Sequence, residues 1–447
     1  MSIEAKSTTT TGGFSEEALR ELSWSKGEPE WLREMRLGAW RRYEGMPVPS
    51  RKEEEWRRTD LSLLDLPAVT PFAGPEAAAP RLEDLPAELR SALDNNQGRG
   101  GLLVHHNSSG RYRSLSPELA ARGVILADLD SAVKEHPDLV RRHLGARVAP
   151  EEGKFTALHY AFWSGGAFVY VPRNVEVGLP LQAMTWADRA GLAVMPHTLI
   201  VLEEGASLVF VDESASPQEQ GPALANGVTE LSLAPGSRLQ YVALQRWGRS
   251  VYNFSSQRAA LRRDVSMSSL SVVLGSRMTK SWIDSRLVEP GANVAMVGIM
   301  FADGNQRFHH HTLQDHQAPS TTSDLLFKAA LTDHARSEYS GLIRVHKDAQ
   351  KTDAYQANRN LALSENARAD SMPKLEIEAN DVRCTHGATV GPIDPEQLFY
   401  LMARGLPRQT AERMIVQGFF EPVLEKIPLE AVRERVREAV DAKLAGR

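Results

Sequence analysis

The sequence predicts a mainly β protein built on a parallel β-solenoid, and three observations carry that prediction. Between about residues 155 and 390, short apolar or alternating runs follow one another (168–171, 198–202, 208–211, 239–244, 270–274, 282–288, 294–300) with no long stretch of helical period. Each run is bounded by Gly, Pro, Asp or Asn. A turn, a small residue and a strand also recur together, as Gly205-Ala206-Ser207-Leu208, Gly236-Ser237-Arg238-Leu239, Asp264-Val265-Ser266-Met267 and Gly291-Ala292-Asn293-Val294. The second residues of these turns lie 31, 28 and 27 positions apart. A sandwich or barrel is the competing class, and the repeat decides for stacked coils, each burying its apolar side chains against its neighbours. The motif returns at tighter spacing as His334-Ala335, Asp348-Ala349 and Asn366-Ala367.

The elements follow in order. The first fifteen or so residues are expected to be disordered. Pro29 suits the first turn of a helix carrying Trp31, Leu32, Met35 and Trp40, which Pro47 and Pro49 end. Residues 67–80, rich in Pro and Ala, form a connector. A hairpin is predicted over 101–105 and 112–115 around Asn107-Ser108-Ser109-Gly110, then a strand at 124–129 and a helix capped by Ser131 that stops near Gly145. After Gly391, Asp394 and Pro395 open a helix that stops at Gly405. A second helix runs from Pro407 to a close at Gly418, and a third carries the stripe Leu429, Val432, Val436, Val440 and Leu444. This gives an N-terminal α/β region (1–150), a β-solenoid core (151–391) and a C-terminal helical domain (392–447).

Composition narrows the function. The 447 residues, 42% hydrophobic and 24% charged, describe a globular chain long enough to bury a large core. Its 52 basic and 57 acidic residues give a net charge of −5, with no basic footprint for nucleic acid or an anionic membrane. The polar N-terminus lacks the apolar core of a signal peptide, and no apolar run is long enough for a membrane helix. One cysteine, Cys384, leaves no intramolecular disulfide and no metal site built on two thiolates of this chain, so a cytoplasmic location is expected.

Three segments carry candidate chemistry. Gly275-Ser276-Arg277-Met278-Thr279-Lys280-Ser281 has the outline of a phosphate-binding loop. That loop needs a Gly just before the Lys and a turn from strand into helix. Thr279 stands at the Gly position and residues 282–288 continue as a strand, so no ATP site is expected. Phe308-His309-His310-His311 with His316 is the densest imidazole cluster. Successive strand residues face opposite ways, so His309 and His311 could share a metal, as in a cupin-like metalloenzyme, which His310 could not join. Partly exposed histidines on coil surfaces are the favoured reading. In the segment from Asp381 to Gly391, Cys384 and His386 project to one face of a strand, and the flanking Gly387 and Gly391 permit close approach of another backbone. A thiolate and an imidazole suit iron or zinc, but two ligands do not close a site. A buried structural cysteine beside a hydrogen-bonded histidine is the alternative. No Ser/His/Asp or paired-carboxylate arrangement stands out, and no enzymatic activity is expected.

Several motifs together resemble the SufB/SufD family of the SUF iron–sulfur cluster assembly machinery, its SufD branch above all. They are Glu55-Trp56-Arg57-Arg58-Thr59-Asp60, Phe168-Val169-Tyr170-Val171-Pro172, Ala349-Gln350-Lys351-Thr352-Asp353-Ala354, residues 356–363 and Pro373-Lys374-Leu375-Glu376-Ile377, with Cys384-Thr385-His386-Gly387-Ala388-Thr389-Val390-Gly391, Gln397-Leu398-Phe399-Tyr400-Leu401 and Arg404-Gly405. The resemblance implies a right-handed parallel β-helix that pairs with the homologous scaffold SufB. It places the ATPase SufC on the C-terminal helices, at Leu398, Phe399, Tyr400, Arg404, Met414 and Phe419. It puts His386 at the SufB interface as an iron or cluster ligand, with Cys384 beside it. The isolated chain is then expected to hold no stable cofactor, only iron or an Fe–S cluster transiently with SufB, and to be able to form a homodimer. Reduced flavin belongs, if anywhere, to the assembled complex. SufB is the rival identity. SufB-type chains carry a cysteine followed by Asp and Ser where this chain reads Asn358-Arg359-Asn360-Leu361, and a His-Glu pair where it has His386-Gly387. Both departures favour SufD.

Overall fold

The computed structural model describes residues 13–93, 98–219, 221–427 and 430–445. Two ten-stranded sheets face one another, and from Leu224–Leu233 onward successive strands alternate between them. From that strand to Arg383–Gly391 every neighbouring pair is parallel, so the chain winds as a β-helix with two strands to the coil. The sandwich alternative is absent. In the first sheet Ser207, Arg238, Ser266, Asn293, Thr322, Asp353 and Arg383 stand in register. The repeated turn residues sit just before such strands with left-handed backbones: Gly205 (φ 67°), Gly236 (67°), Asp264 (57°) and Gly291 (79°). Glycine adopts that conformation freely and Asp tolerates it, which is why these residue types recur. Ala335 and Ala367 instead precede strands of the second sheet, Arg336–Val345 and Arg368–Ile377. They belong to another corner, and that mixing tightened the apparent spacing.

The lumen core is built by alternation. Leu208, Leu239, Met267, Val294 and Leu325 from one sheet meet Leu231, Leu261, Leu287 and Phe308 from the other. Each such side chain contributes about 1.5–3 kcal/mol by leaving water.

At the N-terminal end both sheets finish in antiparallel pairs, Gly101–His106 with Ser109–Leu115 and Ile125–Asp128 with Ala167–Val171. The hairpin turns at Asn107 and Ser108, as expected. Gly101–His106 also pairs in parallel with Leu181–Trp186, so the α/β region is continuous with the solenoid.

Four expectations need correction. The solenoid does not begin at residue 155, because Lys154–Phe162 is a helix buried on nearly every side. A helix that is apolar all round has no 3.6-residue stripe to betray it. A further helix, Glu16–Ser25, not foreseen in the sequence, begins just past the stretch expected to be disordered, with Ser15 accepting from the Ala18 N–H; residues 1–12 of that stretch lie outside the described residues. Pro29 stands at the N-cap of Glu30–Gly45, one position earlier than expected. Asp128 rather than Ser131 caps Leu129–Glu135, and Pro137 divides the expected helix by opening a second, Pro137–His143. The helix expected to close at Gly418 runs on as Arg408–Leu424 with Pro422 inside it. The other C-terminal helices are Pro395–Ala403, capped by Asp394, and Glu430–Ala445; Leu429 lies outside the described residues. No helix among the described residues is long and apolar enough to cross a membrane.

Candidate functional site

The solenoid's C-terminal end is open. Arg383–Gly391 is the last strand of the first sheet and Arg368–Ile377 the last of the second, so each has a strand neighbour on one side only. Such an edge presents unpaired N–H and C=O groups to whatever approaches. Tyr355, Leu375, Ile377 and Val390, on the last three strands, are 40%, 37%, 41% and 51% exposed. Apolar side chains gathered beside a free edge make a surface suited to pairing with another sheet.

Register places the sequence-predicted ligands on this edge. Cys384 lies beside Ala354 and His386 beside Gln356. Ala354 and Gln356 are buried on the lumen side, so Cys384 and His386 occupy lumen-side positions of the last coil, on one face as expected. Cys384 is half-buried against Ile343, Val345, Ala349 and Ala354. Burial, with the Asp353 carboxylate adding, pushes its thiol up. It is therefore protonated at neutral pH and must shed that proton to bind a metal. His386 is exposed. Among the described residues no group of three or more His, Cys, Asp and Glu side chains is placed to hold a metal. The Cys384–His386 pair is an incomplete ligand set at lumen-side positions of a free edge strand.

The sequence reading missed Gln356. It is buried, yet neither its amide nitrogen nor its oxygen has a hydrogen-bond partner among the described residues. Gly341 gives it room, since a Cβ there would come within 2.2 Å of Gln356 Nε2. One Gln in an alternating strand carries no signal of its own, and its orphaned state shows only once the coils are stacked.

The histidine run is placed differently from expectation. His309 is buried beneath residues 54–59, with Nδ1 2.9 Å from Thr59 Oγ1. Lys280 Nζ donates to His311 Nε2 at 2.8 Å, and the His311 ring stacks on Trp282. His310 is buried, and neither ring nitrogen has a partner among the described residues. Desolvation drives His309 and His310 down to about 3 and His311 to about 2, so all three rings are neutral. His309 and His311 each have a ring nitrogen already engaged, and among the described residues no third ligand joins them, so these residues do not form a cupin-like centre. Lys280 is itself buried between Trp56 (4.8 Å) and Trp282 (5.2 Å), donates to the Glu55 carbonyl at 2.7 Å, and is held near 8 by desolvation. The segment around Trp56 is thus a strap fastened across the second sheet. Gly275, in the loop that resembled a phosphate site, answers to a packing need. A Cβ there would stand 2.1 Å from the Trp247 carbonyl oxygen of the preceding coil.

The C-terminal helices divide into two kinds. Pro395–Ala403 buries no residue: Phe399 is 74% exposed and Tyr400 58%, Leu398 is half-buried, and Arg404 lies 5.1 Å over the Tyr400 ring. Met414, on the next helix, is also exposed. From Val416 onward the helices turn inward. Val416, Phe420, Val423, Val432, Val436, Val440 and Leu444 pack on Val211, Val242, Leu244, Leu270 and Val272 of the first sheet's outer face. Phe419 belongs to this seam, since Lys328 lies over its ring and donates to its carbonyl at 2.6 Å.

Known proteins share this arrangement of sequence. Residues 185–419 match the model of the SUF system FeS cluster assembly, SufBD core domain, and residues 104–183 match the SufBD protein N-terminal region. An iron-sulfur cluster assembly SufBD family protein of Staphylococcus saprophyticus is 30% identical over 433 residues, covering 95% of this chain and 92% of its own. Relatives of the same description from Staphylococcus epidermidis and Staphylococcus aureus show the same identity and coverage. A two-sheet β-helix with an open, cysteine- and histidine-bearing end, matched over nearly its whole length, makes this chain a member of the SufBD family of iron–sulfur cluster assembly proteins.

Proposed function

We propose that the chain is a SufD-type, non-catalytic subunit of the SUF scaffold, with iron or a nascent Fe–S cluster as its transient cargo. The observation that carries this reading is the incomplete Cys384–His386 pair on a terminal strand that is paired on one side only. A neutral imidazole is a competent iron ligand. A SufB-type partner laid against the free edge would bring the missing ligands, and metal binding would then displace the Cys384 proton. In the partner's absence a second copy could occupy the same edge as a homodimer. Gly387 adds no side chain to hold a partner strand away, and the Asn358-Arg359-Asn360-Leu361 segment lacks the SufB-type cysteine. The exposed helix Pro395–Ala403, with Met414 alongside, is the docking surface for the ATPase SufC, while the two later helices brace the solenoid. No residue is assigned to flavin, and a cytoplasmic setting fits a chain with one free thiol.

The test is His386→Ala in a complex co-expressed with SufB and SufC. The variant should fold and assemble, yet support cluster formation at less than a tenth of the wild-type rate. Wild-type cluster formation inside an intact complex would remove the ligand role. Failure to assemble would make His386 an interface residue only.

A further inference from the structure

A cleft of about 500 Å³ opens where the strap leaves the second sheet, walled by Asp60, Leu63, Arg249, Tyr252, Arg277 and Arg307 among others. Stacked coils bring equivalent side chains about 4.8 Å apart. At this corner Arg307, Arg336 and Arg368 fall in one ladder, and like charges directly opposite one another destabilise a sheet. Elsewhere on the solenoid the next coil neutralises such a position: Glu289 pairs Arg262 at 2.7 Å, Asp284 pairs Arg258 at 2.6 Å, and Glu376 pairs Arg344 at 2.9 Å. In the cleft Arg249 has Asp303 at 2.6 Å, but Arg277 and Arg307 have no carboxylate within 4.0 Å among the described residues. Asp60 is the one acidic residue of the lining, exposed and engaged by the Ser62 N–H at 3.0 Å. The Arg277 guanidinium lies over the buried Tyr252 ring, 6.0 Å from its centroid, and Leu63 leaves 64% of its surface uncovered at the mouth.

We propose that this cleft binds a phosphomonoester: the phosphoryl dianion sits between Arg277 and Arg307, and an apolar or aromatic body lies against Tyr252 and Leu63. Two guanidiniums without an ion pair within 4.0 Å among the described residues, with Asp60 the one acid beside them, can receive one phosphoryl dianion, and their planar forks match its oxygens. The volume is that of an ordinary small-molecule site. The inference does not depend on the partner assignments above. Titration calorimetry of the full chain with phenyl phosphate, at fixed ionic strength, tests it. Phenyl phosphate should bind saturably and at least fivefold tighter than inorganic phosphate or benzoate. R277Q and R307Q should each weaken it about tenfold or more. R336Q, in the same ladder but outside the lining, should stay within twofold. Both cleft variants should keep the wild-type unfolding midpoint, since neither arginine has an ion pair to lose. Unchanged affinity in the R277Q/R307Q double variant would overturn the proposal, as would a lowered midpoint that marks the arginines as structural. So would tighter binding of a hexaglutamate peptide, which would make the cleft a patch for an acidic protein segment.

Discussion

Arg36→Ala should unlock the N-terminal end of the solenoid while leaving the far end untouched. Arg36 is completely buried and holds Glu28, itself only 3% exposed, through Nε at 2.8 Å and Nη2 at 2.7 Å. It also donates to the Ala161 and Trp163 carbonyls at 3.0 and 2.9 Å and lies 4.5 Å over the Trp163 ring. Removing one partner of a buried ion pair costs about 3–5 kcal/mol, and each carbonyl left unsolvated adds about 1–3 kcal/mol. These losses overlap in one small volume, so about 4–6 kcal/mol is the expected total. Because a repeat protein of this length need not unfold in one step, the assay is amide hydrogen exchange element by element. Exchange in Glu30–Gly45 and Lys154–Phe162 should speed up by roughly 10³–10⁴, at tenfold per 1.4 kcal/mol, with Arg383–Gly391 unchanged. The pH dependence has a definite sign. Burial alone would raise the Glu28 carboxyl, but the Arg36 charge and hydrogen bonds bring it below its usual range. An acid depressed on folding stabilises above its unfolded pKa, and that contribution is lost as pH falls through the folded value. The gap between wild type and R36A should therefore be widest near neutrality and narrow below about pH 4.5. Equal acceleration at both ends, or a change under tenfold, would refute the local lock.

Three further outcomes follow from geometry. Phe399→Asp, on the free helix, should leave the unfolding midpoint within about 0.5 kcal/mol yet abolish SufC co-purification; Val436→Asp, on the bracing helix, should cost at least about 3 kcal/mol. Lys280 is depressed to about 8, so between about pH 8 and 10.4 the unfolded chain binds the extra proton and the wild type should gain on K280M as pH rises, by about 3 kcal/mol in all. A gap that shrinks over that window, followed by urea unfolding, would contradict the sign. Gly275→Ala should destabilise the coils from Trp247 to Lys280 by several kcal/mol, because the atom it meets is backbone and cannot move aside. Proteolysis within that stretch is the readout.

The solenoid was legible because its corners need a left-handed residue once per coil, and Gly205, Gly236, Asp264 and Gly291 supply one at each return. Lys154–Phe162 was not, since burial on all sides erases helical periodicity. Cys384 and His386 were readable as a pair from period-2 geometry alone. Their setting on an unpaired edge was not, because which coil comes last is a property of the stack. Burial of His309 depended on Thr59, 250 residues away in sequence, and no local pattern reports such a contact. The division of the C-terminal helices was hidden for a related reason: Phe399 and Phe420 look alike in sequence and differ only in whether the first sheet lies beneath them.

The two ends of the solenoid are chemically unequal, and this sets the valence of the molecule. At the N-terminal end the hairpin strand is tied to the connector, where the Ala79 N–H donates to the Arg111 carbonyl at 2.6 Å, and the Glu16–Ser25, Glu30–Gly45 and Lys154–Phe162 helices pack over the first coils. Among the described residues the edge strands at that end, Ser109–Leu115 and Ile125–Asp128, are largely covered, whereas most of Arg383–Gly391 at the other end is exposed. A β-helix competent at both ends would add copies without limit, as fibrils do. If partners add through strand edges, one exposed end would give the chain a single neighbour, and growth by strand addition would stop at two.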